Sequence, residues 1–297
     1  MKRFTSLSRD DKIFYVVITF VLTVIFILVL YPMLYVLSAS FSSGTAVSSG
    51  KVFLWPVDFS LEGYKTVFRT SSVFIGYRNS IFYTVVGTAI NIAMTMMAAA
   101  TLARKDLPGR NGIMLLFTFT MFFNGGIITS YMLVKELHML NTVWALLIPG
   151  ALGVYNLIIA KTFIQNSIPD ELMEAGKIDG CSDIQYFVKI VLPLSKAVMA
   201  VLVLFYSLGH WNAYFNAMIY LNDRELYPLT IFLKEILIAG QIDSGTVTDP
   251  ELQSRLAQTA AVIKYALIVV SMVPVMLLYP FIQKYFVKGV MIGAVKG

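Results

Sequence analysis

The sequence predicts an all-α membrane protein with six transmembrane helices and both termini in the cytoplasm. Three observations carry that prediction. First, 58% hydrophobic residues, 13% charged residues and a mean hydropathy of +0.75 leave too little polar surface to cover a water-soluble globule. Second, six uncharged windows (13–50, 79–103, 111–134, 137–160, 197–222 and 265–283) are each at least 19 residues long. About 20 mostly apolar residues cross a bilayer core as a helix, whereas barrel strands would be shorter and alternate polar with apolar. Third, with the N-terminus inside, 14 of the 23 Lys and Arg residues fall on inner segments, while acidic residues divide eight inside and nine outside. The net charge of +6 therefore belongs to the inner membrane face. No basic stripe with interleaved aromatics points to nucleic acid.

The first span is expected at 13–37, kinked near its outer end by Pro32. Ser38-Ala39-Ser40 resembles a signal-peptidase site, but the apolar run before it is about 25 residues. That is well beyond the roughly 7–15 of a signal-peptide core, so a retained span is expected. Residues 39–77, rich in Ser, Gly and aromatics, form an external segment along the interface or against a partner. The second span is expected at 79–103, followed by an inner turn over 104–112. The third, 113–133, carries Asn124-Gly125-Gly126, where paired glycines either unwind the helix or admit close packing. The fourth runs over 142–164 with Pro149, the fifth over 197–221 and the sixth over 262–283. A polar external segment lies at 222–261 and an inner tail at 284–297.

The inner loop 165–196 is polar and helix-forming. Ser167 and Asp170 have capping-box spacing around Pro169, Gly180 suits a left-handed helix end, and Ser182 with Gln185 repeats the capping spacing. Two short helices below the bilayer are expected, the second ended by Pro193 or by the turn into the membrane. Ala175 and Gly176 would let another protein approach the backbone. The lone Cys181 excludes an internal disulfide and receives no role. Taken alone, such a loop also fits an amphipathic helix resting on headgroups.

Within this loop Glu174-Ala175-Gly176, then Gly180, then Ile190-Val191-Leu192-Pro193 follow the spacing EAG-x3-G-x9-I-x-L-P. That pattern resembles the EAA loop of ABC-importer permeases, specifically the carbohydrate-uptake group of maltose-type and oligosaccharide-type transporters. The third motif position, usually Ala, is Gly176. Asp179-Gly180-Cys181-Ser182, the segment 209–217 around Trp211-Asn212 and the tail 285–297 are similar to stretches of the same family.

The resemblance covers nearly the whole chain and implies one permease domain over 1–297 in a bacterial inner membrane. It implies a second permease, forming a heterodimer, and a cytoplasmic ATPase dimer that holds ATP and Mg; this chain itself would bind no cofactor and catalyse nothing. An extracytoplasmic solute-binding protein would deliver the sugar. Glu171, Glu174, Ala175, Gly176, Asp179, Gly180, Ile190, Leu192 and Pro193 would form the ATPase-coupling surface, and 289–297 resembles a tail that reaches between ATPase subunits in some relatives. Closure of the ATPase dimer would draw the loop inward and switch the path from inward- to outward-facing.

The residues agree with a partner-driven transporter independently of that likeness. No G-x-x-x-x-G-K-[ST] phosphate loop is present, since Gly50-Lys51 and Gly176-Lys177 lack the rest of the motif. Lys161 and Lys264 lie at helix ends where they can snorkel, so the charge inside the membrane that ion-coupled carriers use is missing. A sugar path needs amide or hydroxyl donors beside aromatic rings. Trp211, Asn212, Tyr214 and Asn216 offer both, Asn212 and Asn216 being expected on one face at i, i+4. Asn124, Tyr131 and Asn156 could face the same space, although membrane Asn also joins helices and Trp and Tyr also form interfacial belts. His210 is expected to cap or pack, and with only His138 besides it no metal site is expected. The rival readings are the same architecture carrying an amino acid, peptide or phosphate, or a membrane-embedded enzyme or stand-alone channel.

Overall fold

The computed structural model describes residues 8–242, 258–277 and 280; these residues are mostly helical and contain no strand. In chain order the helices are α1 (Arg9–Ser40), α2 (Gly44–Ser48), α3 (Glu62–Arg69), α4 (Ser71–Ala103), α5 (Arg110–Phe122) and α6 (Gly126–Glu136). Then come α7 (Trp144–Leu147), α8 (Val154–Ser167), α9 (Glu171–Ile178), α10 (Asp183–Tyr186) and, after a π-turn at Phe187–Val191, α11 (Leu192–Leu194). The remainder are α12 (Lys196–Trp211), α13 (Phe215–Tyr220), α14 (Leu229–Ile242) and α15 (Gln258–Leu277). The predicted tail over 284–297 lies outside the described residues.

The described residues fall into two compact units, one drawn from Met1–Thr70 and Leu233–Met272, the other from Ser71–Phe232 and Val273–Gly297. In the first, Ser8 opens α1 by accepting the Asp11 amide at 3.1 Å. The helix then continues through Pro32 to Ser40, with side chains exposed from Ile13 to Val29, as an apolar lipid- or protein-facing helix requires. Ser38, Ala39 and Ser40 are buried. The Ser38 hydroxyl donates to the Leu54 carbonyl at 2.5 Å, and Ser40 and Tyr64 hydroxyls meet at 2.8 Å, so these serines tie Leu54 and α3 to the end of α1. Gly63 faces Val262 and Ala266 of α15 so closely that no Cβ fits.

In the second unit α4 is the axle. Its buried positions include Gly76, Asn79, Ser80, Tyr83, Thr84, Gly87, Thr88, Asn91, Thr95 and Ala99, a small and polar stripe at helical spacing. It packs on α8 and α12 around Met96, Leu157, Ala160, Val198 and Leu202.

Several of the six expected spans are broken in the structure. Only α1, α4 and α15 are, among the described residues, long and apolar enough to cross a bilayer unbroken; the number is up to five if each bent pair is one span. The third predicted span divides into α5 and α6, which meet at 115°. Gly126 has φ +79° there, and the Asn124 carboxamide oxygen accepts its amide at 2.6 Å, so the glycine pair unwinds the helix. The fourth divides into α7 and α8 around Pro149-Gly150. The fifth ends at Trp211 and restarts at Phe215, and an 81° bend at Ser195 separates it from the preceding loop helices.

The candidate coupling loop and polar pathway

The loop forms two short helices as predicted, but the first does not begin at Ser167. Ser167 closes α8, and Ile168 is extended because the residue before a proline is pushed out of the helical region. Asp170 stands at the helix start without capping it; its carboxylate is instead held by Lys105 at 2.6 Å. Glu171 and Glu174 are exposed in the first turn, where the helix dipole favours acidic groups.

At the far end of α9 Gly180 has φ +74°. The Gly180 amide donates to Lys177 and the Cys181 amide to Gly176 at 2.8 Å, the bond pair of a Schellman ending. Ser182 then opens α10 with both halves of a capping box: its hydroxyl accepts the Gln185 amide at 3.3 Å, and the Gln185 side chain accepts the Ser182 amide at 3.1 Å. Pro193 does not end the second helix. It sits in α11, directly after a π-turn that contains Ile190, and exit from regular α-geometry accommodates a ring with no N–H to donate. Leu192 is half-buried against the core beside Phe187, and Val191 is buried.

The small pair divides between two faces. Ala175 is exposed, but Gly176 is buried, turned toward the Tyr186 ring and Cys181 of its own loop. Two residues not singled out in the sequence, Ile178 and Ile184, flank the Gly180 turn with 87% and 76% of their surface exposed. They escaped notice because a helix of eight residues followed by one of four is too short to show an apolar period.

A charge lattice joins this loop to the turn after α4. Arg104 donates through Nε and Nη2 to Asp106 at 3.0 and 2.8 Å and through Nη1 to Asp183 at 2.8 Å; Asp106 also takes Lys177 at 3.3 Å. Arg104 holds the Asp106 carboxyl well below the usual carboxylate range, and Asp106 in turn raises the guanidinium. By sign, a depressed carboxylate contributes fully above its ordinary value of 3.8 and loses that contribution only as pH falls through its lower folded value, so these charges persist at neutral pH. The sequence alone marked Arg104 and Asp106 only as an inner turn, because their partners lie some 70 to 80 residues further along.

The pathway candidates separate by environment. Trp211 is buried at the end of α12 with its ring 6.0 Å from Tyr77. Asn212 follows it, exposed, donating to the Leu208 carbonyl at 2.9 Å. The helix break there means Asn212 and Asn216 do not share one helical face, which corrects the i, i+4 reading; Asn216 is exposed on α13. Tyr214 bonds to Met218, Tyr131 on α6 stacks with Tyr220 of α13 at 6.3 Å, and Asn124 is exposed at the α5–α6 break. Asn156, in the first turn of α8, has a buried oxygen with no hydrogen-bond partner among the described residues.

No local spacing announces the polar clamp beside these residues. Asn91 of α4 donates to the Gly150 carbonyl at 2.5 Å and meets His210 Nε2 at 2.6 Å; Thr95 and Tyr206 hydroxyls lie 2.6 Å apart, and Tyr206 accepts the Gly153 amide at 3.1 Å. Two polar groups of the unwound backbone between α7 and α8, the Gly150 carbonyl and the Gly153 amide, are thus satisfied by side chains, the arrangement that irregular backbone away from water requires.

No protein-family profile matches the chain. Among curated proteins it is 43% identical over 266 residues to the polygalacturonan/rhamnogalacturonan transport system permease protein YtcP of Bacillus subtilis (strain 168), covering 90% of this chain and 92% of that one. Protein LplC of the same strain is 42% identical over 266 residues, covering 90% and 89%. Among solved structures, a chain of a bacterial ABC transporter involved in the import of the acidic polysaccharide alginate superposes with a TM-score of 0.85 at 32% identity, covering 94% of this chain and 99% of that one. With helices matched along almost their whole length and identity above two-fifths to such a transport permease, this chain belongs to the family of integral membrane permease subunits of carbohydrate ABC importers, a transport role rather than an enzymatic one.

Proposed function

We propose that the chain forms half of the translocation path for an oligosaccharide and receives its driving force through the loop over 171–193. The observation that carries this reading is the pair of exposed isoleucines, Ile178 and Ile184, on either side of the Gly180 turn. Apolar side chains so exposed on a charged loop call for a protein partner. Glu171, Glu174, Ala175, Asp179 and Gly180 present the rest of that surface, while Gly176, Ile190, Leu192 and Pro193 shape the loop behind it. The partner is a cytoplasmic ATPase dimer holding ATP and Mg, since the chain lacks a phosphate loop of its own. A second permease completes a heterodimer, and an extracytoplasmic solute-binding protein supplies the sugar. In this reading the chain crosses the bacterial inner membrane six times, counting broken helices as spans, with both termini inside.

The path is lined from Asn124, Tyr131, Asn156, Trp211, Asn212, Tyr214 and Asn216, which gather amides and aromatic rings at or near helix breaks. Acidic oligosaccharides are the first substrates to test, because YtcP is named for polygalacturonan and the structural neighbour for alginate. The experiment is affinity purification of the chain from membranes of its own cells, followed by reconstitution and uptake of oligogalacturonates, alginate oligosaccharides and maltooligosaccharides. Wild type should bring down an ATPase and take up one class; Glu174→Lys should lose the ATPase and uptake together. Full uptake by Glu174→Lys would sink the coupling assignment.

A further inference from the structure

We propose that Arg104 and Asp106 are positioning residues that bolt the loop over 171–193 to the end of α4, so that loop and axle move as one body. The proposal rests on the reading of that loop as the ATPase-coupling element.

Arg104 stands immediately after the last helical residue of α4, and its guanidinium is fully committed: two nitrogens to Asp106, one to Asp183 at the start of α10. Its carbonyl accepts from Arg110 at 3.1 Å, which folds the turn back on itself. Asp106 passes the connection on to Lys177, in the last turn of α9. Both flanks of the Gly180 turn are therefore tied to one point, Lys177 before it and Asp183 after it. Isolated exposed ion pairs hold little, but here a planar fork spans two carboxylates in fixed directions, which a lysine ammonium cannot do.

Apolar packing supports the joint from behind. Leu102 and Ala103 at the end of α4 are buried in the same cluster as Ile164, Ile168 and Val191, and Gln165 donates to the Ala103 carbonyl at 3.4 Å. Further along the same helix, Asn91 and Thr95 hold the unwound segment at Gly150 and Gly153 together with His210 and Tyr206. A force on the loop would enter α4 at Arg104 and arrive at that break about two and a half to three and a half helical turns away, since a packed helix transmits displacement without bending freely.

The test uses the assembled complex with its ATPase in right-side-out vesicles and a reporter that needs no sugar. A cysteine introduced by Asn216→Cys is labelled with a membrane-impermeant maleimide, nucleotide-free and after trapping with ATP and vanadate. In the otherwise wild-type complex, labelling should differ at least about fivefold between the two states, the lower end of typical allosteric coupling. With Arg104→Lys or Asp183→Asn added, the ATPase should stay bound and still trap vanadate, while the labelling difference collapses toward one. The double substitution should be no worse than either single one, because both remove the same link. A labelling difference equal to that of the parent complex, or losses that multiply in the double variant, would overturn the proposal. If Arg104→Lys fails to accumulate, Asp183→Asn carries the test, its side chain being 74% exposed. Retention of the ATPase by Glu174→Lys, or a parent complex whose labelling ignores nucleotide, would instead count against the coupling reading beneath it.

Discussion

Gly176 and Gly180 are four residues apart and are glycines for different reasons. A Cβ on Gly176 would lie 3.6 Å from Tyr186 and 3.7 Å from Cys181, ordinary contact in a helical conformation. Gly176→Ala should therefore preserve uptake and firm up α9 by up to about 1 kcal/mol of helix propensity. Gly180 has open space around it but φ +74°, a conformation that costs other residues about 1–2 kcal/mol. Gly180→Ala should loosen the Schellman ending, seen as faster hydrogen exchange at the Cys181 amide, which bonds across the turn to Gly176. Equal exchange in both variants would refute this account. The spacing made both glycines visible in the sequence. Which one is left exposed was not, because that depends on where Tyr186 of the second helix lands.

Polar side chains at the scale of the helix decide where each span is continuous. Asn91 is 1% exposed and serves both the Gly150 carbonyl and His210. Asn91→Leu keeps the volume and strands both partners, at about 1–3 kcal/mol for each group left unsatisfied. Thr84 on the same stripe has a buried hydroxyl with no hydrogen-bond partner, so Thr84→Val should be neutral or stabilising. Thermal unfolding of the purified complex distinguishes them: the first midpoint should fall by several degrees and the second should not. An unchanged midpoint for Asn91→Leu would remove the clamp. Hydropathy foresaw apolar helices in every window, and Asn124-Gly125-Gly126 announced one break. The break at Gly150 was not legible, since the Gly150 carbonyl and the Gly153 amide are satisfied by Asn91 and Tyr206, 59 and 53 positions away.

For the molecule as a whole, six crossings with both termini inside remains a proposal that single-cysteine labelling can check. In a Cys181→Ser background, cysteines placed by Trp55→Cys and Glu225→Cys should react with an impermeant reagent from outside intact cells, and Lys2→Cys and Lys105→Cys only after the cells are opened. Reaction of the last two in intact cells would invert or break the topology. The charge asymmetry of 14 against 9 basic residues is the ground for that expectation, because cationic loops resist translocation.

By itself the sequence determined the solvent this protein lives in and the family it resembles. Apolar windows and a spaced local motif need only neighbouring residues to be recognised. It also determined the local joints of the loop over 171–193, the Gly180 ending and the Ser182 box, whose bonds span five residues or fewer. Tertiary structure alone decided which windows bend beyond the one the Asn124-Gly125-Gly126 stretch announced, which face of α9 is exposed, and that Arg104 ties this loop to α4. Those outcomes rest on buried polar groups finding partners far along the chain, and in a membrane a polar group without water must find one or break the helix.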